Sequence, residues 1–367
     1  MTDGQNIRPL TSLRFFAALW VVLYDYWPNL VGAGAALPNL VAKGYLGVEL
    51  FFVLSGFILS HVYRTSVETG RFRYGSFLWA RLARVYPLHI ATLVGVGLMA
   101  GAASMAGIAV DPNLSAWEAL PANLTLTQAW GLSPVAGWNH PSWSISAEWF
   151  AYLTFPAFAW AALKLKARPL VAVALAILFM TGLYAAFQAL AGFSLTHATI
   201  RWGALRIVPC FAYGCALHAL WRARPADSRS QALLGAAFSG AGVLMAAAAG
   251  APDTLIVVGL GAIIFFLARL AETGSELLSA APLVYLGEIS YSVYMICIPW
   301  RIVFPNLVTR VVELNNDQLP LGLWLVFVAS VVPLAALSYH LVEKPARNRM
   351  KLMAEAWATR RPSAATA

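Results

Sequence analysis

Two ionisable side chains, Arg14 and Asp25, share the first apolar segment of the chain. At about 3.6 residues per turn, their separation comes to about 20° more than three full turns, so both side chains point in the same direction. They are about 16 Å apart along the helix axis. Charged groups inside a membrane segment are energetically costly, so Asp25 either serves a function or pairs with a cation on another helix.

A second pair of cations, Arg81 and Arg84, is three residues apart, which places both on one face of a helix. Two neighbouring guanidinium groups suit phosphate groups, because each can donate two parallel hydrogen bonds. Anionic lipid headgroups would satisfy the same pair, as would the general preference of arginine for the cytoplasmic side of a membrane. The residues alone therefore leave a ligand site and a membrane-surface role open.

Further charged residues enter the apolar segments, and each is a candidate for pairing or for function. Glu49 lies in the second segment, Glu148 in the fourth and Arg206 in the sixth. Arg206 needs an acidic partner, and Asp25, Glu49 and Glu148 are the groups available. His140 precedes the fourth segment and is interpreted as a solvated or helix-capping residue.

The three cysteines, Cys210, Cys215 and Cys297, all lie inside apolar segments. Their spacing contains neither a disulfide framework nor a Cys-X-X-Cys pair, so we expect no metal site. Buried cysteines usually behave as small hydrophobic residues, and we interpret Cys297 in this way. A nucleophilic role for its thiol is the alternative.

The chain carries too little charge and too much apolar surface for a water-soluble protein. Of its 367 residues, 60% are hydrophobic and 11% are charged, whereas soluble domains carry about 25% charged residues. A single core cannot bury that much apolar surface. We therefore predict an all-α polytopic membrane protein in contact with membrane lipids. Its net charge of +9 lies in short loops, which indicates orientation in the bilayer and no nucleic-acid partner.

Apolar runs of about 20 residues, the length that spans a bilayer, occur about ten times. We predict helices at 11–31, 43–63, 86–108, 142–163, 169–191, 202–221, 231–250, 253–271, 282–304 and 320–342. Most lysines and arginines then fall on alternate loops, which predicts that both the N- and the C-terminus are cytoplasmic. We expect one transmembrane domain over residues 1–353 and a disordered cytoplasmic tail over 354–367.

Two of the predicted loops differ from simple connections. Residues 64–85 combine five arginines with aromatic side chains, which predicts an amphipathic segment on the inner leaflet. Residues 109–141 contain no lysine or arginine but are rich in tryptophan, proline and glycine. We expect this second loop to be extracytoplasmic and to fold over the helix bundle.

Six segments in this order resemble the membrane acyltransferases known as acyltransferase family 3. They are SLRFFAALWVVLYDYWP, GYLGVELFFVLSGFILS, RLARVYPLH, PSWSISAEWFAYLTFP, LGEISYSVYMICIP and VEKPAR, and they span residues 12–347. The resemblance implies about ten helices in a bacterial inner membrane. It also implies transfer of an acyl group, usually acetyl, from cytoplasmic acyl-CoA to a hydroxyl of an envelope carbohydrate or lipid-linked glycan. The oligomeric state stays open.

The resemblance also assigns residues. Arg14 matches the arginine of the family's first helix. Arg81 and Arg84 match its RxxR motif, which is thought to engage the acyl donor, and Glu148 matches the glutamate of its WSLxxE pattern. Two positions depart from the family. Asp25 stands where the family has an essential histidine, and Cys297 stands where a second histidine is often seen.

The departure at Asp25 leaves three interpretations. Imidazole suits the deprotonation of an alcohol near neutral pH, whereas a carboxylate is a weaker base. Asp25 is therefore a substitute base, an inactivating change, or a sign that catalysis rests elsewhere, with Cys297 as an acyl carrier. Of these we favour the substitute base.

The resemblance and the residues together give a hypothesis for the whole reaction. Acyl-CoA binds at the cytoplasmic mouth through Arg14, Arg81 and Arg84, and the acyl group moves toward Asp25. An acceptor hydroxyl arrives from the outer side near Glu148, and the hydroxyl of Tyr24 assists by hydrogen bonding. The alternatives are a transporter or flippase of a lipid-linked sugar, and an inactive acyltransferase-like partner protein.

Overall fold

A computed structural model describes residues 7–224, 228–311 and 318–360. The described residues form helices, short single-turn helices and loops, with no strand among them. Twelve helices of ten or more residues occur there: α1 Arg8–Tyr26, α2 Gly47–Glu68, α3 Tyr74–Met105, α4 Trp143–Leu153, α5 Phe155–Lys164, α6 Pro169–Ala191, α7 Gly203–Ala223, α8 Arg229–Ala248, α9 Asp253–Glu272, α10 Ala281–Val308, α11 Leu321–Ser338 and α12 Lys344–Arg360. The prediction of an all-α polytopic membrane protein is confirmed.

Eight helical stretches in the described residues are long and apolar enough to cross a membrane. They coincide with eight of the ten predicted segments; the first and fourth are helical but are not among the eight. The first is α1, whose apolar residues are interrupted by Arg14 and Asp25. The fourth is divided at Thr154 into α4 and α5. Pro156 stands in the first turn of α5 and has no N–H to continue the hydrogen bonds of α4.

The third segment begins earlier than the sequence predicts. Helix α2 continues to Glu68 and α3 begins at Tyr74, so Arg81 and Arg84 lie within α3. The prediction of a separate amphipathic segment over 64–85 is therefore wrong. Only a short turn joins the two helices, and Gly70 adopts a positive φ of 68° there, which suits glycine.

The C-terminal part of the chain is more helical than expected. A single π-helical turn, Tyr339–Glu343, joins α11 to α12, and α12 continues to Arg360. The boundary expected at residue 353 thus falls inside a helix, and residues 354–360 are not a disordered tail. Residues 361–367 lie outside the described residues.

Glycines bring the central helices into backbone contact. A side chain at Gly56 of α2 would meet the backbone of Phe211, and one at Gly214 of α7 would meet the backbone of Val53. Small residues allow such close approach between helices in a membrane. Helix α2 therefore packs directly against α7, and α1 packs against both α2 and α10.

The loop over 109–141 is folded onto the helices, as the sequence predicts. Trp138 donates from Nε1 to the carbonyl of Ala116 at 2.8 Å, which closes the loop on itself. Asn139 donates from Nδ2 to the carbonyl of Met295 at 3.0 Å, which attaches the end of the loop to α10.

A buried ion pair joins α2 to α7 at the ends where the two helices begin. Arg206 donates to Glu49 through Nε at 2.5 Å and through Nη2 at 2.9 Å. The guanidinium also donates to the carbonyl of Ala198 at 3.0 Å and lies 4.6 Å from the ring of Trp143. Glu49 is thus the partner of Arg206, and both side chains are used for structure.

Replacing Glu49 by Leu should destabilise the fold, because it leaves the Arg206 guanidinium buried without a counter-ion. Breaking such a pair costs about 3–5 kcal/mol. We expect E49L to lower the thermal unfolding midpoint in detergent. The double variant E49L/R206M should lose less stability than E49L, because neither charge is then buried alone.

The matched control is the pair between Arg64 and Glu68, which is partly exposed at a separation of 3.0 Å. Exposed pairs contribute little to stability, so E68Q should unfold close to the wild-type temperature. An E49L protein as stable as wild type would show that the pair is dispensable.

Candidate active site

A cavity of about 420 Å³ lies between the central helices, and we call it the arginine cavity. Helices α1, α2, α3, α4, α10 and α12 form its walls together with the π-helical turn that precedes α12. It is lined by Thr11, Arg14, Val48, Phe51, Phe52, Leu54, Ser55, Ile58, Leu59, Val62, Arg81, Arg84, Val85, Ser144, Ile145, Glu148, Tyr152, Glu288, Tyr291, Tyr294, Tyr339 and Arg347.

The arginine cavity brings together the three arginines that the sequence predicts as a donor site. Arg14 comes from α1, and Arg81 and Arg84 come from one face of α3. In the described part of the chain, none of the three forms a salt bridge. The Nε atom of Arg81 is buried and has no hydrogen-bond partner there. Guanidiniums left in this state favour an anionic ligand.

Glu148 also lines the arginine cavity, which corrects its expected position near the outer mouth. Helix α4 begins at Trp143, and Glu148 lies more than one turn further along it. Its carboxylate accepts a hydrogen bond from the hydroxyl of Tyr152 at 3.0 Å. Glu148 therefore accompanies the arginines and does not share a cavity with Asp25.

Arg347 is a fourth arginine that lines the arginine cavity, and the sequence interpretation missed it. It lies 3.6 Å from Glu343 and 5.9 Å above the ring of Tyr339. The buried Glu343 also accepts a hydrogen bond from Ser292 of α10 at 2.9 Å. The signal was present in the VEKPAR segment, where Glu343 and Arg347 are four residues apart and so lie on one helical face.

A second cavity of about 160 Å³ contains the other two predicted residues, and we call it the aspartate cavity. It is lined by Val21, Tyr24, Asp25, Tyr45, Val48, His140, Pro141, Trp143, Thr196, His197, Thr199, Arg206, Tyr294 and Ile298. His140 thus faces the same space as Asp25 and does not simply extend into solvent. Sequence spacing gave no sign of this placement.

The two cavities follow each other along the helix axes. Helix α1 supplies Arg14 to one cavity and Asp25 to the other. Val48 of α2 and Tyr294 of α10 line both cavities, and we call these two side chains the partition. The prediction that Arg14 and Asp25 both face the interior is confirmed, but two cavities replace the single groove that was expected.

Cys297 lies outside both cavities. Its side chain is fully buried and its thiol donates to the carbonyl of Tyr294 at 3.0 Å. The surrounding core contains Val22, Ile289 and Phe327. Packing accounts for this cysteine, and its position does not suit an acyl carrier.

Known proteins resemble this chain over most of its length. A family model described as an acyltransferase domain, that of acyltransferase family 3, matches residues 9–340. The chain belongs to this acyltransferase family. The resemblance carried by the six sequence segments is therefore confirmed, and the chain contains an acyltransferase domain with several helices long and apolar enough to span a membrane.

Three curated relatives show how far the similarity extends. The chain is 36% identical to acyltransferase MdmB of Streptomyces mycarofaciens over 159 residues, covering 41% of this chain and 38% of MdmB. It is 39% identical to protein 2 in the picA locus of Rhizobium radiobacter over 84 residues, covering 23% and 40%. It is 25% identical to O-acetyltransferase OatA of Staphylococcus aureus over 375 residues, covering 95% and 58%. The alignments thus span less than two thirds of these relatives, and no solved structure matches the chain.

Substituted cysteines should test whether the two cavities open to opposite sides of the membrane. We expect a small charged thiol reagent to label D25C from outside intact cells and R84C from the exposed face of inverted vesicles. The three natural cysteines are buried, so the wild-type protein supplies a low background. Labelling of both variants from the same side would contradict the arrangement.

Proposed function

We propose that this acyltransferase is an inner-membrane O-acyltransferase of bacteria. It takes an acyl group, acetyl in the simplest case, from cytoplasmic acyl-CoA and transfers it to a hydroxyl of an envelope polysaccharide or a lipid-linked sugar. The observation that carries the proposal is the contact between two unlike cavities. One holds three arginines that form no salt bridge within the described residues, and the other holds a carboxylate and histidines. Among the residues that the structure describes, only the partition of Val48 and Tyr294 lines both.

The arginine cavity suits the donor. Coenzyme A carries a diphosphate and a further phosphate, and Arg14, Arg81 and Arg84 supply guanidiniums that can bind such groups. Apolar residues of α2, among them Phe52 and Ile58, line the same cavity and suit the uncharged arm that carries the thioester. Polar groups at one part of a mainly apolar cavity are typical of small-molecule sites.

The aspartate cavity suits the acceptor. A sugar hydroxyl becomes a better nucleophile when a nearby base takes its proton. Asp25 supplies a carboxylate to this cavity, and the hydroxyl of Tyr24 can donate a hydrogen bond to the carbonyl oxygen of the acyl group. In this proposal the acyl carbon reaches the acceptor at the partition.

A transfer assay tests the function. Inverted vesicles from cells that make the protein receive acetyl-CoA with a radiolabelled acetyl group, and vesicles from cells without it serve as the control. We expect label in the envelope glycan fraction and release of free coenzyme A thiol. Movement of lipid-linked sugar without label transfer would instead support a flippase, and neither outcome would support an inactive partner protein.

Replacing Arg84 by Ala should weaken donor binding without changing the fold. Loss of a charge-assisted hydrogen bond costs about 1.5–3 kcal/mol, which corresponds to a rise of about tenfold or more in KM for acetyl-CoA. We expect R81A to behave in the same way. Arg71 lies on the exposed turn between α2 and α3, so R71A is the matched control. Equal KM values for R84A and R71A would exclude this role of the α3 arginines.

A further inference from the structure

Asp25 and His140 are two ionisable side chains that line the aspartate cavity. In the described part of the chain, neither side chain forms a hydrogen bond or a salt bridge. Arg301 interacts with the Asp25 carboxylate only through its charge, at longer range. The other interior carboxylates are occupied. Glu49 accepts from Arg206, Glu148 from Tyr152 and Glu343 from Ser292. Two unoccupied groups of complementary chemistry therefore line one cavity.

The backbone on both sides of His140 is held in place. Asn139 is buried and donates to the carbonyl of Met295 at 3.0 Å. On the other side, the buried Ser142 accepts from Gln128 at 3.0 Å. Pro141 lines the cavity next to His140 and restricts the chain further. The backbone that carries His140 is therefore held at the wall of the cavity.

The state of His140 suits the acceptance of a proton. Burial lowers the pKa of His140 below its ordinary value of 6.5. The ring is therefore neutral at pH 7, with one nitrogen free to accept a hydrogen bond from a hydroxyl. Proton transfer by such a group is the usual role of histidine in catalysis.

His197 is the other histidine of the aspartate cavity, and its surroundings differ. Its ring centroid lies 4.3 Å from that of Tyr45, and the Tyr45 hydroxyl donates to Asp253 at 2.9 Å. Asp253 also binds Lys43 at 2.6 Å and accepts a hydrogen bond from Thr196. His197 therefore packs against a polar cluster at the exposed end of the helices, whereas His140 has no such contact.

We propose that His140 is the catalytic base of the reaction and that Asp25, across the same cavity, is its positioning partner. This inference rests on the proposed function. The imidazole takes the proton of the acceptor hydroxyl as the oxygen forms a bond to the acyl carbon. The carbon–sulfur bond breaks, and coenzyme A leaves as a thiolate into the arginine cavity. The imidazolium, stabilised by the Asp25 carboxylate, releases its proton to water on its side, and the thiolate takes a proton from water on the other.

The inference also explains why the first helix can lack a histidine. In the aspartate cavity an imidazole from the loop before α4 supplies the base, and α1 supplies the carboxylate. The departure at Asp25 is then neither an inactivating change nor a direct replacement. It is one half of a pair whose other half comes from a distant part of the sequence.

Variants of both residues test the inference in the vesicle assay with radiolabelled acetyl-CoA. We expect H140A to lower kcat about 100-fold or more, the usual contribution of a general base, while KM for acetyl-CoA stays within about twofold. D25N should lower kcat to a smaller degree and D25E should recover part of it. The exchange variant D25H/H140D keeps one imidazole and one carboxylate in the cavity and should exceed H140D alone.

H340A is the matched control, because His340 is exposed and lines neither cavity, and this variant should keep a kcat near that of wild type. Binding of acetyl-CoA by purified H140A shows that this variant is folded. An H140A protein with wild-type kcat overturns the inference while the proposed function stands. A wild-type protein that transfers no label overturns the proposed function and the inference together.

Discussion

The position of α1 between α2 and α10 determines where the chemistry can take place. A side chain at Gly47 of α2 would meet the carbonyl of Ala17, and one at Gly287 of α10 would meet the backbone of Thr11. At these contacts α1 can rotate very little without a backbone clash. Arg14 and Asp25 are therefore held toward the interior, one in each cavity, and both cavities depend on the same helix.

The interior charges divide into those that stabilise the fold and those that are available to a ligand. Glu49 and Arg206 satisfy each other by two hydrogen bonds, so the cost of burying them is offset within the protein. Arg14, Arg81 and Arg84 have no salt-bridge partner in the described residues. A membrane protein retains such costly groups where a ligand or water completes their interactions. The same argument applies to Asp25.

Sequence reasoning succeeded where a property depends on local spacing. Hydropathy located the helices, because a span needs a minimum length of apolar residues whatever surrounds it. The three-residue spacing of Arg81 and Arg84 fixed their common face, since helix geometry alone decides it. Sequence reasoning failed where the position of a residue depends on tertiary packing. Glu148 lies deeper than expected because α4 begins inside the bundle. The chain beside His140 is held because Asn139 donates to the carbonyl of Met295, a residue 156 positions away.

The partition imposes a strict condition on any transfer between the cavities. Val48 and Tyr294 each line both spaces, so the two cavities approach each other at these side chains. In the proposed reaction neither coenzyme A nor the glycan has to cross the membrane, because only the acyl carbon has to pass between these two residues. The phosphates then stay with the arginines and the acceptor hydroxyl stays with Asp25 and His140. Each substrate group then meets protein groups of suitable charge, the phosphates in one cavity and the acceptor hydroxyl in the other.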